Sequence, residues 1–273
     1  MNGNSALEAA LRRDRRVVAA GLVGVIAFAW IYILWGAGME MTAFEMTAMT
    51  PPVGATPATD MAAGHAAGGV AAMAMAAMTP APWTPGYAVL MFFMWWIMMV
   101  AMMLPSASPM ILLFAAINRK QRERGGPFVP SGAFAFGYLV AWGGFSLAAV
   151  ALQWGLDRAA LLSPAMAGTG VIFGGVLLMA AGVYQLTPLK HACLRHCRSP
   201  LHFLSHHWRK GRSGALRMGL EHGAFCLGCC WVLMGLLFVG GVMNLYWIVG
   251  LALFVLLEKS LPAGHGLGWI GGG

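Results

Sequence analysis

The chain of 273 residues is 59% hydrophobic and only 10% charged, with a net charge of +8. That balance excludes an ordinary soluble globular protein and predicts a membrane protein that crosses the bilayer several times. It also contains no phosphate-binding glycine loop, no nucleophile–base constellation and no paired intramembrane carboxylates, which argues against an ATP-driven pump and against hydrolysis.

Arg12, Arg13, Arg15 and Arg16 end a cytoplasmic N-terminal segment, 1–16, and precede an apolar run from Val17 to Trp35. This first helix, 17–35, is too long for a signal peptide and lacks a small-residue cleavage site, so it is expected to be retained. Residues 36–85 contain no Lys or Arg and are rich in Ala, Met, Thr and Pro. They are expected to form an outer loop without a fixed fold. A second helix is expected over 86–117, with a break at Pro105 and Pro109. A third covers 132–154, and a link carrying Asp157, Arg158 and Pro164 leads to a fourth over 167–187. A basic loop, Leu189 to Ser213, precedes a fifth helix over 215–239. The Gly240-Gly241 turn leads to a sixth over 242–257, and a Gly-rich tail occupies 263–273.

Six helices put both termini on one side. With the N-terminus inside, every Lys and Arg except Arg158 falls on the inner side, as the positive-inside rule requires. The basic excess therefore needs no nucleic-acid partner. The expected fold is an all-α, polytopic six-helix bundle in the inner (cytoplasmic) membrane, with lipid around it, both termini cytoplasmic, and a core of 86–262. Gly170-x-x-x-Gly174 and Gly219-x-x-x-Gly223 predict close pairing of the fourth and fifth helices.

All five cysteines lie between Cys193 and Cys230, on the inner side of this topology, so thiols are expected rather than a disulfide framework. The stretch from His222 to Cys230 dominates the reading. On a helix, Met218, His222, Cys226 and Cys229 share one face, Cys230 flanks it, and Trp231 points the opposite way. A second cluster, His191, Cys193, His196 and Cys197, follows the fourth helix at a similar depth. Thiolates and imidazoles suit copper(I), zinc and related ions, whereas magnesium and calcium want oxygen. The plain alternative is that buried Cys acts as a small hydrophobe. Three cysteines and a histidine on one membrane face weigh against it, because polar groups there are costly. His202, His206 and His207 are read as surface histidines.

Methionine forms the third cluster. Met91, Met94, Met98 and Met102 share a face of the second helix, with Met99 and Met103 beside it. The outer loop adds Met39, Met41, Met46, Met49, Met61, Met73, Met75 and Met78, with His65 among them. Met is an adaptable packing residue, but thioethers also bind copper(I) and silver. Tyr184, Gln185, Asn244 and Glu258 are the polar helix residues that would mark a path.

Several stretches together resemble a bacterial family of predicted metal-binding integral membrane proteins (domain of unknown function 2182). They are Met94-Trp95-Trp96-Ile97-Met98-Met99 through Pro105-Ser106, Gly137-Tyr138-Leu139-Val140-Ala141-Trp142, and Gly182-Val183-Tyr184-Gln185 through Lys190 with Cys193 and Cys197. His222-Gly223 with Cys226-Leu227-Gly228-Cys229-Cys230-Trp231, Gly241-Val242-Met243-Asn244 and Glu258-Lys259 complete the match. It covers about 86–262. The resemblance implies the six-helix reading and metal binding by the Cys/His clusters, and it implies no reaction.

The expected function is thus soft-metal handling or transport without ATP, with copper(I) as the favoured ion and zinc as a substitute. The outer Met loop would capture the ion, Met98 and Met102 would relay it, and His191, Cys193, His196, Cys197, His222, Cys226, Cys229 and Cys230 would hold it near the inner face. Two alternatives stand beside it. One is a membrane thiol–disulfide oxidoreductase using Cys226-x-x-Cys229 or Cys193 with Cys197. The other is a structural or assembly subunit whose Cys and Met merely pack.

Overall fold

The computed structural model describes residues 3–39, 41–49, 82–123, 129–163, 166–168 and 170–261. It is all-helical, with no strand among the described residues. The helices are α1 (Gly3–Leu34), α2 (Ala43–Met49), α3 (Pro85–Glu123), α4 (Ser131–Arg158), α5 (Val171–Gln185), α6 (Pro188–Arg198), α7 (Pro200–His207), α8 (Gly211–Gly235), α9 (Leu237–Gly240) and α10 (Leu245–Ser260).

Four apolar helical stretches are long enough to cross a membrane: Arg16–Leu34, Pro85–Gln121, Ser131–Arg158 and Gly211–Gly240. A fifth arises if α5 and α6, bent by 65° at their junction, count as one span. The helix α10 has 16 residues, about 24 Å at 1.5 Å per residue, against about 30 Å of hydrocarbon. The described residues therefore give four or five such helices.

Three local expectations are corrected. The helix α3 does not break at Pro105 and Pro109; both lie inside it. Extra donors bridge this stretch. Ser106 Oγ donates to the Met103 carbonyl at 2.9 Å and Ser108 Oγ to the Leu104 carbonyl at 2.8 Å. Tyr138 of α4 adds its hydroxyl to the Met103 carbonyl at 3.3 Å. Neighbouring hydroxyls of this kind let a membrane helix tolerate proline.

Secondly, the basic segment from Leu189 onward is not a loop. Thr187 caps α6, its Oγ1 accepting from the Lys190 backbone N–H at 3.3 Å, and Pro188 opens the first turn, a favoured helix start. Ser199-Pro200 starts α7 in turn. Lys190, Leu194, Phe203 and Leu204 are buried, so the segment folds back against α8 and α3.

The third correction concerns the glycines. Gly219 and Gly223 of α8 face α4, not α5. A Cβ on Gly219 would stand 2.0 Å from the Phe134 carbonyl oxygen, and one on Gly223 would stand 2.6 Å from the Ala141 Cβ. Gly137 of α4 answers them, since its Cβ would stand 2.1 Å from the Leu216 carbonyl oxygen. The closest helix pair is thus α4 with α8, brought together where side chains are absent. Gly174 of α5 makes only an ordinary approach to Val239, 3.5 Å from its Cγ1.

The start of the expected outer loop carries structure. Thr42 and Glu45 form a reciprocal cap on α2: Thr42 N–H and Oγ1 donate to Glu45 Oε2 at 2.7 and 2.8 Å, and Glu45 N–H donates to Thr42 Oγ1 at 3.3 Å, an arrangement that satisfies two free helix-end donors at once. These bonds hold the Glu45 carboxyl below its ordinary range, with the Thr42 backbone bond the larger cause. Thr47 Oγ1 then accepts from the Leu245 N–H at 2.9 Å and ties α2 to the start of α10. Met46 is buried. Met61, Met73, Met75, Met78, His65 and the tail 263–273 lie outside the described residues, as does the side chain of Met49.

Candidate metal centre

The helix α8 buries the face the sequence predicts. Met218, His222, Cys226 and Cys229 are all buried, as is Cys230, while Trp231 on the far side is 47% exposed. All five cysteines are free thiols. The bend after α5 lays α6 along α8, and this brings the two cysteine clusters together. The Cys197 sulfur meets those of Cys226 and Cys229, and Cys230 meets the same pair. Cys193 lies on the same side of α6 against Gly228. A Cβ at Gly228 would stand 2.7 Å from the Cys193 Sγ, so the close approach of α6 depends on that glycine. Tyr184, at the end of α5, donates its hydroxyl to the Gly228 carbonyl and fixes the same crossing.

A cation and a thioether complete the cluster. Lys259 of α10 donates to the Cys226 sulfur at 2.9 Å and to Ser106 Oγ at 3.1 Å. Tyr138 OH is 3.1 Å from the Cys226 sulfur, and Cys230 Sγ is 4.0 Å from Met103 Sδ. The thiols of Cys229 and Cys230 turn back to the Cys226 carbonyl at 3.0 and 3.1 Å. For that reason the sulfurs gather without forming a cage: no set of three or more His, Cys, Asp or Glu among the described residues is disposed to enclose an ion.

Next to this cluster is a buried ion pair. Lys190 Nζ and Glu258 Oε1 are 2.5 Å apart, with side chains only 1% and 2% exposed. Arg198 donates to the Glu258 carbonyl oxygen. The pair fastens α6 to the end of α10, and Glu258 is one residue from Lys259, so the fastening fixes where the second lysine stands.

The histidines separate. His222 is stacked with Phe134 and Tyr138 and tilted against Phe203, with ring centroids 6.1, 5.8 and 5.4 Å away. Its Nδ1 is buried with no hydrogen-bond partner among the described residues. His196 lies flat on Phe225 at 4.1 Å, its Nδ1 against the Ala192 carbonyl. His191 is half-buried on the same helix. His202 and His206 are exposed, while His207 pairs with Glu221 at 3.2 Å. On α3, Met91, Met94, Met98, Met99, Met102 and Met103 are all buried. Met103 rather than Met102 is the one that reaches a thiol.

Residues 92–273 match the model of a family, PpoB2, described as copper chaperone, which is more than half of the chain. The chain belongs to this copper chaperone family. The match begins inside α3 and leaves out α1, α2 and the Met-rich segment. The family is described by copper rather than as the predicted metal-binding integral membrane proteins expected from the sequence; what the two descriptions share is a metal. No curated protein and no solved structure matches the chain.

Membership of a copper chaperone family makes the residues that sequence reasoning left out of the site the informative ones. Lys259, Tyr138 and Met103 are each within a short reach of the thiols, yet none stands near them in sequence. Lys259 had a signal: it and Glu258 are charges at the end of an otherwise apolar helix. Met103 stood beside the methionine stripe and Tyr138 within the family resemblance, but neither signal pointed to the thiols.

Proposed function

We propose that the protein is a multi-pass inner-membrane copper(I) chaperone whose cargo is held by Cys197, Cys226 and Cys229, with Cys230 and Met103 at the edge. The observation that carries this reading is the meeting of α6 and α8 thiols around Lys259 inside an apolar bundle. Copper(I) favours thiolate and thioether sulfur. A copper(I) ion with two thiolates carries one net negative charge, and an uncompensated charge in an apolar interior is costly. The Lys259 ammonium supplies the opposite sign. Cys193, near Cys229, and His222, one turn of α8 before Cys226, are the next donors in line. His191 and His196 remain outer candidates for handing the ion to or from the inner water.

The topology belongs to the same reading. We take α1, α3, α4, α5 with α6, α8 with α9, and α10 as six spans, with both termini cytoplasmic, because the basic residues then gather inside. Met98 and Met102 lie on the buried side of α3 between its start and Met103, and they would continue a sulfur path outward. A cysteine placed at the exposed Ala48 in a Cys-free variant is expected to react with an impermeant thiol reagent on intact cells. Reaction only after lysis overturns the six-span assignment.

The site is tested by loading the purified protein anaerobically with copper(I) and measuring bound metal against a copper(I) chelator. The wild type is expected to hold the ion, and Cys226→Ser with Cys229→Ser to lose it while α-helix content stays the same. Equal retention by the two proteins overturns the site. Appearance of a Cys226–Cys229 disulfide in cells would instead favour the thiol oxidoreductase.

A further inference from the structure

Far from the thiols, the same bundle contains a second sulfur site. Gln153, near the end of α4, is buried. Its Oε1 accepts from the Trp95 indole N–H at 2.7 Å. Its Nε2 donates to Met166 Sδ at 3.2 Å and to Met91 Sδ at 3.5 Å. A thioether is a weak acceptor, so both amide hydrogens of a buried glutamine are spent on the poorest acceptors a protein offers. From the sulfur side, two thioethers on different segments each aim at one point, and a polar N–H group occupies it.

Met166 is positioned at some conformational expense. It has φ of 55°, a left-handed backbone uncommon for a residue with a Cβ. Its N–H donates to the Ser163 carbonyl at 2.8 Å, and the Ser163 N–H donates to the Ala167 carbonyl at 2.7 Å. Gly168 N–H is bonded to the Phe238 carbonyl at 2.7 Å. The turn is thereby closed at its neck, tied to α9, and directs the Met166 thioether inward, where the residue is 8% exposed.

We propose that Met91 and Met166, whose sulfurs now both accept from Gln153, form a second soft-metal site, for a monovalent d10 ion such as copper(I) or silver(I), built from thioethers alone. Thioethers are neutral, need no deprotonation to bind, and select such ions over zinc or magnesium. Along α3, Met91 is twelve residues from Met103, about 18 Å at 1.5 Å per residue. The site is therefore at the opposite end of the bundle from the thiols. It binds by displacing the Gln153 amide from between the sulfurs. Asp157, one turn further along α4, is itself bonded to Trp83 at 2.7 Å, so the ion's charge is lightly compensated. A site so lightly compensated holds its ion loosely and exchanges it readily, which suits entry or exit. The inference goes beyond the thiol site and stands without it.

The test is silver(I) binding in detergent, counted per chain, in a variant with all five cysteines changed to Ser. This variant is expected to keep one silver ion that resists a hard-metal chelator, and Met91→Leu with Met166→Leu in the same background to lose it. Gln153→Met, which replaces the competing amide by a third thioether of similar size, is expected to tighten silver binding at least about tenfold. A packing role predicts the same silver count with and without Met91→Leu and Met166→Leu. Absence of silver from the Cys-free chain, or equal silver in the double Leu variant, overturns the proposal. If the Cys-free chain does not fold, the wild type carries the test. There Met91→Leu with Met166→Leu must lower bound silver by one ion per chain, and an unchanged count overturns the site. A failed thiol site would appear separately, as silver bound equally with and without the cysteines.

Discussion

Lys259 Nζ is 2.9 Å from Cys226 Sγ, so the one lysine of α10 is partnered by a thiol while the adjacent carboxylate of Glu258 is taken by Lys190. The two lysines are thus assigned to different acids. Lys190 holds the helices together, and Lys259 faces the sulfurs. Exchanging their roles is blocked by the direction of α10, because consecutive residues of a helix point about 100° apart.

The first prediction concerns that lysine. Lys259→Met keeps the length of the side chain and removes its charge. Hydrogen bonds to charged groups are worth about 1.5–3 kcal/mol, and each 1.4 kcal/mol is about tenfold. Copper(I) affinity measured by chelator competition is expected to fall by roughly ten- to a hundredfold, with the fold unchanged. Lys259→Arg is expected to lose less. Wild-type affinity in Lys259→Met would remove the charge-balance argument.

Breaking the neighbouring pair is a matter of stability. Glu258→Gln leaves Lys190 buried and without its counter-charge, which is expected to cost about 3–5 kcal/mol. Replacing both partners, Lys190→Met with Glu258→Leu, is expected to recover most of that loss, because an apolar pair needs no desolvation. Denaturant unfolding in detergent, followed by circular dichroism, compares the three proteins. A double variant as unstable as the single one would show that the pair has a further partner.

The α4–α8 contact predicts a sharp contrast among glycines. Gly219→Ala places a carbon where the Phe134 carbonyl oxygen already stands, 2.0 Å away, and backbone cannot step aside as a side-chain tip can. Overpacking of this kind costs about 1–3 kcal/mol or more. Gly175→Ala on α5 meets nothing within 4 Å and is expected to be neutral or slightly stabilising through helix propensity. Thermal unfolding in the same detergent reads both.

A fourth prediction uses pH. The Glu45 carboxyl is held below its ordinary range by Thr42. A carboxyl depressed in the folded state contributes stability above its unfolded value, and loses it as pH falls through the folded one. The end of α2 is therefore expected to loosen under acid conditions. Backbone hydrogen exchange at residues 43–49, followed as pH is lowered, should show this in the wild type and already at neutral pH in Glu45→Gln. Identical protection in the two proteins would mean that the cap is dispensable.

Much of the helical frame was legible because hydrophobic length and basic punctuation are strong signals in an apolar chain. Arg16 opens the apolar part of α1, Arg119 and Arg122 fall in the last turns of α3 and Lys190 in the first turn of α6, so the basic residues mark where the apolar stretches end while the helices themselves run on past them. The shared face of Met218, His222, Cys226 and Cys229 followed from helical period alone, and its burial bears that period out. Other features depended on partners remote in sequence. The Leu189 segment reads as loop by charge, yet Thr187-Pro188 and Ser199-Pro200 are helix starts, and α8 and α3 supply the apolar surface that buries Lys190, Leu194, Phe203 and Leu204. Proline inside α3 looked like a break because the Ser106, Ser108 and Tyr138 hydroxyls that bridge it could not be placed. The glycine partners were mistaken because spacing shows which residues permit close contact, not which helix makes it. Gln153 is a single polar residue in an apolar run and Lys259 one of two adjacent charges at a helix end, and only the fold shows what each one touches.

If α10 is the sixth span of the proposed topology, its shortness has a consequence for the surrounding lipid. A span of about 24 Å in about 30 Å of hydrocarbon is mismatched, and bilayers accommodate this by thinning locally or by letting end residues reach the interface. Lys259 and Glu258 are occupied inside the bundle and are not available to reach outward, so the bilayer itself must yield. The leaflet would then be drawn in at the corner where α10 meets α6, bringing water nearer to the sulfurs. Acyl-chain length thereby becomes a control on the chemistry, and reconstitution in longer-chain lipids should slow metal exchange at a site no lipid touches.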